Sequence, residues 1–236
     1  MVQNNEESKV LIIAHRGANK LAPENTLKAF EKAIELGADF VEFDTHASKD
    51  GEIVIMHDEN TLRTAGYDGL IKDMTLEELK QLDCGAGEKI PTLKELIQLA
   101  KGKINLQLEI KAKGITGEIV KILRDSGLID STIISSFHHG ELDKIEQLEP
   151  RLKLASLILG IRKNKSIREA KKQDYYAIHP LHRLASSKFV RKAHENGIKI
   201  NAWTVDSEKR MKKLIKRGID GLITNDVEAA KKVLGR

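Results

Sequence analysis

At 236 residues, with 40% apolar and 32% charged side chains, the chain has the balance of a globular protein with a sizeable core. Aromatics at 4% exclude the stacking platforms that hold single-stranded nucleic acid, and one cysteine, Cys84, excludes an internal disulfide and any cysteine-based metal site. The formal net charge is +5, and residues 188–236 hold 13 basic against 6 acidic side chains, a bias assigned to the polar faces of amphipathic helices rather than to nucleic acid.

The opening MVQNNEESK has no basic start followed by an apolar run. No apolar stretch approaches the ~20 residues that span a bilayer. The expectation is a soluble, cytoplasmic protein with no stable membrane insertion. A first strand is predicted at 10–14, VLIIA, running into His15 and Arg16. ENTLKAFEKAIELG then predicts a helix with Asn25 as N-cap, Leu27, Phe30 and Ile34 on one face, and Gly37 as its stop. A second strand covers 39–47.

EIVIMHD is also strand-like, but only SKDG separates it from the second strand. A parallel partner needs a crossover of about a dozen residues. The run therefore folds back antiparallel through Lys49, Asp50 and Gly51, which sets residue 57 opposite residue 43. Residues 58–91 read as a small insertion above the barrel described next, with turns at Ala65-Gly66 and Asp68-Gly69 and a short helix near 75–81. The next helix begins near Thr92. Further strands are predicted at 104–111, 132–136, 153–158, 175–178, 198–204 and 221–223, with helical patterns between them. In DSEKRMKKLIKRG, Met211, Leu214 and Ile215 share one face and Gly218 ends the helix.

Strand–helix alternation implies parallel pairing. Eight βα units in ~250 residues match an α/β TIM (β/α)8 barrel, distorted by the hairpin after its second strand. A doubly wound sheet is the alternative, but no G-x-G-x-x-G or P-loop follows any strand. No linker divides the chain, so residues 1–236 read as one domain.

Barrel strands alternate their side chains between the interior and the helix layer. In FVEFDTH, Val41, Phe43 and Thr45 share one face, and Glu42, Asp44 and His46 share the other. In INLQLEIK, Leu106, Leu108 and Ile110 suit the helices, which turns Asn105, Gln107, Glu109 and Lys111 inward. Glu42, Asp44 and Glu109 then form an all-oxygen cage suited to one hard divalent cation, Ca²⁺ or Mg²⁺. The alternative is three separate ion pairs to Lys or Arg. His15 ends the neighbouring strand and His57 stands beside Glu42 and Asp44 on the returning arm. Arg16 offers a forked cation suited to phosphate oxygens, and Lys111 a second cation. A cation, two basic side chains and two proton carriers make a set for phosphodiester hydrolysis.

HRG…PENT, EFD, the HD of IMHD and LEIK resemble the glycerophosphodiester phosphodiesterase family, and SSF, AWTV and ITN resemble its later strand ends. The likeness covers residues 10 to 230. It implies a distorted TIM barrel that cleaves glycerophosphodiesters such as glycerophosphocholine and glycerophosphoethanolamine to sn-glycerol 3-phosphate and an alcohol. It also implies Glu42, Asp44 and Glu109 as metal ligands, His15 and His57 as the acid/base pair, Arg16 and Lys111 as phosphate binders, and Trp203 lining the glycerol or alcohol pocket. The alternative for Trp203 is a core residue capping the barrel. Asn225 stands where the family carries Asp, and is expected to cap the last helix.

The remaining histidines are given lesser parts. His138 and His139 are explained by loop polarity, His179 as the residue after the sixth predicted strand, and His182 and His194 as surface groups. Cys84 reads as inert packing. The short, polar insertion favours a small soluble diester over intact lysolipids. A non-catalytic phosphodiester-binding barrel is expected to lack one of the seven groups, and none is missing. A monomer or homodimer acting on a small molecule is the expected form.

Overall fold

The computed structural model describes residues 9–160 and 163–236. β1 (Leu11–His15) leads into α1 (Leu27–Glu35), β2 (Phe40–Ala47) and a short β3 (Ile53–Ile55). α2 (Leu62–Ala65), a 3-10 turn (Ile71–Asp73) and α3 (Leu76–Gln81) precede α4 (Leu93–Ala100). The rest alternates strictly: β4 (Asn105–Ile110), α5 (Thr116–Ser126), β5 (Thr132–Ser136), α6 (His139–Leu148), β6 (Lys153–Ile158), α7 (Lys163–Lys172), β7 (Ala177–Pro180), α8 (Ser187–His194), β8 (Lys199–Ala202), α9 (Glu208–Ile215), β9 (Gly221–Thr224) and α10 (Val227–Leu234).

Eight strands pair in parallel, β1-β2-β4-β5-β6-β7-β8-β9, and β9 returns to β1 to close the TIM barrel. β3 pairs antiparallel with β2 in the expected register: Thr45 faces Ile55, Ala47 faces Ile53, and the Met56 N–H donates to the Asp44 carbonyl at 3.0 Å. Continuing it sets residue 57 against residue 43.

The core follows from the alternation. Val41, Phe43, Leu106, Leu108 and Ile110 are fully or almost fully buried against the helix layer. Each such side chain contributes roughly 1.5–3 kcal/mol on burial. Inside the barrel, away from its mouth, Ile133, Ala155 and Ala177 pack with Phe40 and Tyr176. Val54, Met56, Ile71, Leu79, Cys84 and Ile90 form a separate small core beneath the segment that follows β3. Burial there pushes the Cys84 thiol up to about 11, so it stays protonated and unreactive. Among the described residues, no helix is long and apolar enough to cross a membrane.

Three expectations are corrected. Thr26, not Asn25, caps α1, accepting from the Ala29 N–H, because Asn25 sits in the left-handed region at φ 56°. The buried face of α1 is Ala29, Phe30 and Ala33, with Ile34 only partly covered. β7, the sixth of the predicted strands, runs on through His179 and Pro180, so His179 is a strand residue inside the barrel and not the residue after its end. Gly17 has a packing reason. Its φ is 81°, and a Cβ there would lie 2.7 Å from the Ala29 carbonyl carbon, so only glycine lets α1 approach the end of β1.

Candidate active site

The C-terminal ends of the strands open into a cavity of about 270 Å³, lined on one side by His15, Arg16, Glu42, His57, Gln107, Glu109 and Lys111. Parity and register bring the carboxylates together. Glu42 lies beside His15 and Gln107 in the ladder, and Asp44 lies beside Glu109. One oxygen from each of Glu42, Asp44 and Glu109 falls within 4.8 Å of the others, and all three residues are buried. Burial, then Asp44 and Glu109, push the Glu42 carboxyl well above its usual value, and burial with Asp44 pushes Glu109 up to about 7. Three buried carboxylates crowded this closely are what a divalent cation relieves. The donor set therefore fits a hard divalent ion.

Two cations stand at the edge of this cage. The Arg16 N–H donates to Glu42 Oε2 at 2.9 Å, and its Nε lies 3.4 Å from Asp44 Oδ2. Arg16 holds this pose at φ 57°, an uncommon conformation for a residue with a Cβ, and one that clusters at functional sites. Lys111 Nζ donates to Glu109 at 3.1 Å and lies 3.6 Å from Asp44. Burial works against the Lys111 charge, but Glu109 and Asp44 outweigh it and raise its pKa.

Both predicted histidines line the same cavity, each held through Nδ1. His15 Nδ1 lies 2.7 Å from Asn225 Oδ1. Asn225 Nδ2 donates to Asp206 at 2.8 Å, which aims its oxygen at His15 and at the Asn19 amide. His15 thus donates from Nδ1 and keeps Nε2 for the cavity. Burial, then Arg16, lower its pKa, so the ring is neutral near pH 7. His57 Nδ1 lies 2.5 Å from Asp58 Oδ1, again leaving Nε2 free. His46, inward like its neighbours, donates from Nε2 to the His57 carbonyl at 3.2 Å.

The opposite wall is apolar: Phe137, Leu157, Leu159, Trp203 and Ile223. Trp203 meets Phe137 edge to face with ring centroids 5.7 Å apart, and its Nε1 donates to the His179 carbonyl at 2.7 Å. The polar insertion gave no hint of this wall, which arises from β5, β6, β8 and β9.

Several supporting residues escaped the sequence reading. Asn25 is buried and donates to Asp44 Oδ2 at 3.0 Å, where a helix cap was expected. Asn225 holds His15, and Asp226 caps α10 in its place. In the sequence, Asn25 before one helical pattern and the Asn225-Asp226 pair before another are the only local signals, and each reads more simply as a cap. His182 is half-buried, with Nδ1 2.6 Å from the Thr204 carbonyl. His194 is exposed and paired with Asp220.

Fold and mouth together define a barrel enzyme that acts on phosphoric diesters. The model of the glycerophosphoryl diester phosphodiesterase family matches residues 15–229. A glycerophosphodiester phosphodiesterase of Caldanaerobacter subterraneus subsp. tengcongensis is 40% identical over 233 residues, 93% of this chain and 96% of that protein. The structure of an Oleispira antarctica phosphodiesterase in complex with the product sn-glycerol-3-phosphate superposes with TM-score 0.91 at 30% identity, covering 96% of this chain and 97% of that one. The Thermotoga maritima glycerophosphodiester phosphodiesterase gives 0.84 at 33% identity, covering 95% and 98%. The chain belongs to the glycerophosphoryl diester phosphodiesterase family.

Proposed function

We propose that the protein hydrolyses small glycerophosphodiesters, glycerophosphocholine and glycerophosphoethanolamine among them, to sn-glycerol 3-phosphate and the free alcohol. The observation that carries this reading is the convergence, at one barrel mouth, of a buried cluster of three carboxylates with two cations and two histidines. Glu42, Asp44 and Glu109 would hold one Ca²⁺ or Mg²⁺, which supplies charge neutralisation at the non-bridging oxygens. Arg16 and Lys111 bind the same phosphate from the side, Arg16 through its planar fork. One ring, neutral, takes the proton of the attacking group at Nε2, while the other, entering as the imidazolium, gives its Nε2 proton to the leaving alkoxide. Each transfer is worth about 10²–10⁴ in rate. The apolar wall around Trp203 shapes the space for the carbon skeleton of the alcohol or glycerol arm. Residues 58–91 are an insertion within one domain, set over the mouth. A monomer or homodimer is the proposed form. The lone cysteine suits a reducing, cytoplasmic setting.

A metal-swept assay over a panel of glycerophosphodiesters tests this. Turnover that EDTA abolishes and Ca²⁺ or Mg²⁺ restores is expected. Full turnover in a verified metal-free sample sinks the cation, and no turnover of any diester with any divalent ion sinks the activity.

A further inference from the structure

A line of alternating charges crosses the mouth outside the cavity. His57 Nδ1 donates to Asp58 Oδ1, and Arg63 Nε donates to Asp58 Oδ2, each at 2.5 Å. The other edge of Arg63, Nη2, donates to Glu24 Oε1 at 2.6 Å. Arg16 Nη1 donates to the same oxygen at 3.0 Å, and Arg16 Nε lies 3.4 Å from Asp44. The members come from the β1–α1 loop, β2, the end of the returning hairpin arm and α2. Arg63 is half exposed and does not line the cavity.

We propose that Arg63 is a positioning residue that fixes Asp58 against His57 and Glu24 against Arg16, so that the insertion sets the geometry between proton carrier and phosphate clamp. The inference rests on the reading of His57 and Arg16 given above.

Exposed ion pairs usually contribute little to stability. This one differs in what its partners do. Each carboxylate has two cationic or ring partners, one on Arg63 and one in the mouth. Burial alone would raise the carboxyls of Asp58 and Glu24, but Arg63 with His57, and Arg63 with Arg16, hold them below their usual values. Asp58 thereby remains an acceptor, which keeps the His57 proton on Nδ1 and Nε2 toward substrate. A guanidinium offers separate donors along two edges of one rigid plane, whereas a lysine ammonium is a point charge and cannot keep both carboxylates in register.

The test is Arg63→Ala and Arg63→Lys, read by kcat, KM and the His57 Nδ1–H resonance in proton NMR. For both variants kcat is expected to fall about 10–100-fold, the magnitude seen when partners that orient active-site ligands are removed. The His57 signal shifts or broadens while that of His15, held by Asn225, stays. Added guanidinium ion at low millimolar concentration restores part of the Ala variant's kcat. A mere staple of the insertion would lower Tm and leave kcat and the His57 signal as they are. Should the Ala variant fail to fold, Arg63→Lys decides alone: wild-type kcat with an unchanged His57 signal overturns the proposal. His57→Ala separates the two claims. If it turns over normally, the proton-carrier reading fails, whereas an inactive His57→Ala beside fully active Arg63 variants defeats only the positioning role.

Discussion

The two walls of the mouth are built on opposite plans. The wall from β1, β2 and β4 is a lattice of charges in which almost every group is oriented by another, such as Glu42 by the Arg16 N–H and Asp44 by Asn25 and Arg16. The facing wall, from β5, β6, β8 and β9, is carbon, with Phe137 and Trp203 meeting edge to face. The lesson is a division of labour. On the proposed reading, geometry on the charged side sets chemistry and area on the apolar side sets binding, so changes on the two sides should separate into kcat and KM effects.

The largest expected effects test the charged wall. His15→Ala and His57→Ala should each lower kcat by at least about 10², with KM little changed. Steady-state kinetics on glycerophosphocholine checks this, and near-wild-type kcat in either variant removes that ring from the chemistry. Next in size is Asn25→Ala, which frees the Asp44 carboxylate to rotate. Divalent-cation affinity, measured by titration calorimetry with Ca²⁺ or Mn²⁺, should weaken about 10–100-fold. Unchanged affinity would mean that the Asn25 amide is packing and not an orienting group.

The charged wall was also the more legible of the two in the sequence. Period-two alternation in EFDTH and LQLEIK needs only neighbouring residues to show which side chains turn inward, and the four-residue SKDG link forces the hairpin that delivers His57. The eight-strand alternation likewise follows from local patterns. What stayed hidden lies in contacts between distant segments. His15 and Asn225 are 210 residues apart, and Arg63 reaches Glu24 across 39. No periodicity encodes such pairs, and Asn25 and Asn225 each carry a local helix-cap reading that the closed barrel overrides. Of the apolar wall only Trp203 was named, through the family resemblance, because Phe137, Leu157 and Trp203 stand at the ends of three strands separated along the chain by whole helices.

The apolar wall gives smaller, differently signed effects. Trp203→Leu removes indole area and the hydrogen bond to the His179 carbonyl. KM for glycerophosphodiesters should rise about tenfold, equivalent to ~1.4 kcal/mol, with kcat within about twofold. A change confined to kcat would place Trp203 with the charged groups and break the division between the walls.

The smallest effect at neutral pH concerns the support beneath that wall. His179 is fully buried, its Nε2 accepts from the Asn201 amide at 3.1 Å, and burial lowers its pKa to about 3. Gly221 makes room for this pair, since a Cβ there would lie 2.6 Å from Asn201 Oδ1. The folded ring stays neutral while an unfolded histidine protonates near 6.5, so acid favours the unfolded chain. The loss begins as pH falls below about 6.5, grows by ~1.4 kcal/mol per pH unit and ends near pH 3. At pH 5 it amounts to roughly 2 kcal/mol. His179→Gln has no such ionisation. Urea unfolding at pH 7 and pH 5 should therefore show a smaller acid loss in the variant than in the wild type, by about that amount. Activity at pH 7 should stay near wild type, because His179 supports Trp203 through its backbone carbonyl, which the substitution keeps. Equal acid losses in the two proteins would mean that the folded ring takes up its proton as readily as the unfolded one.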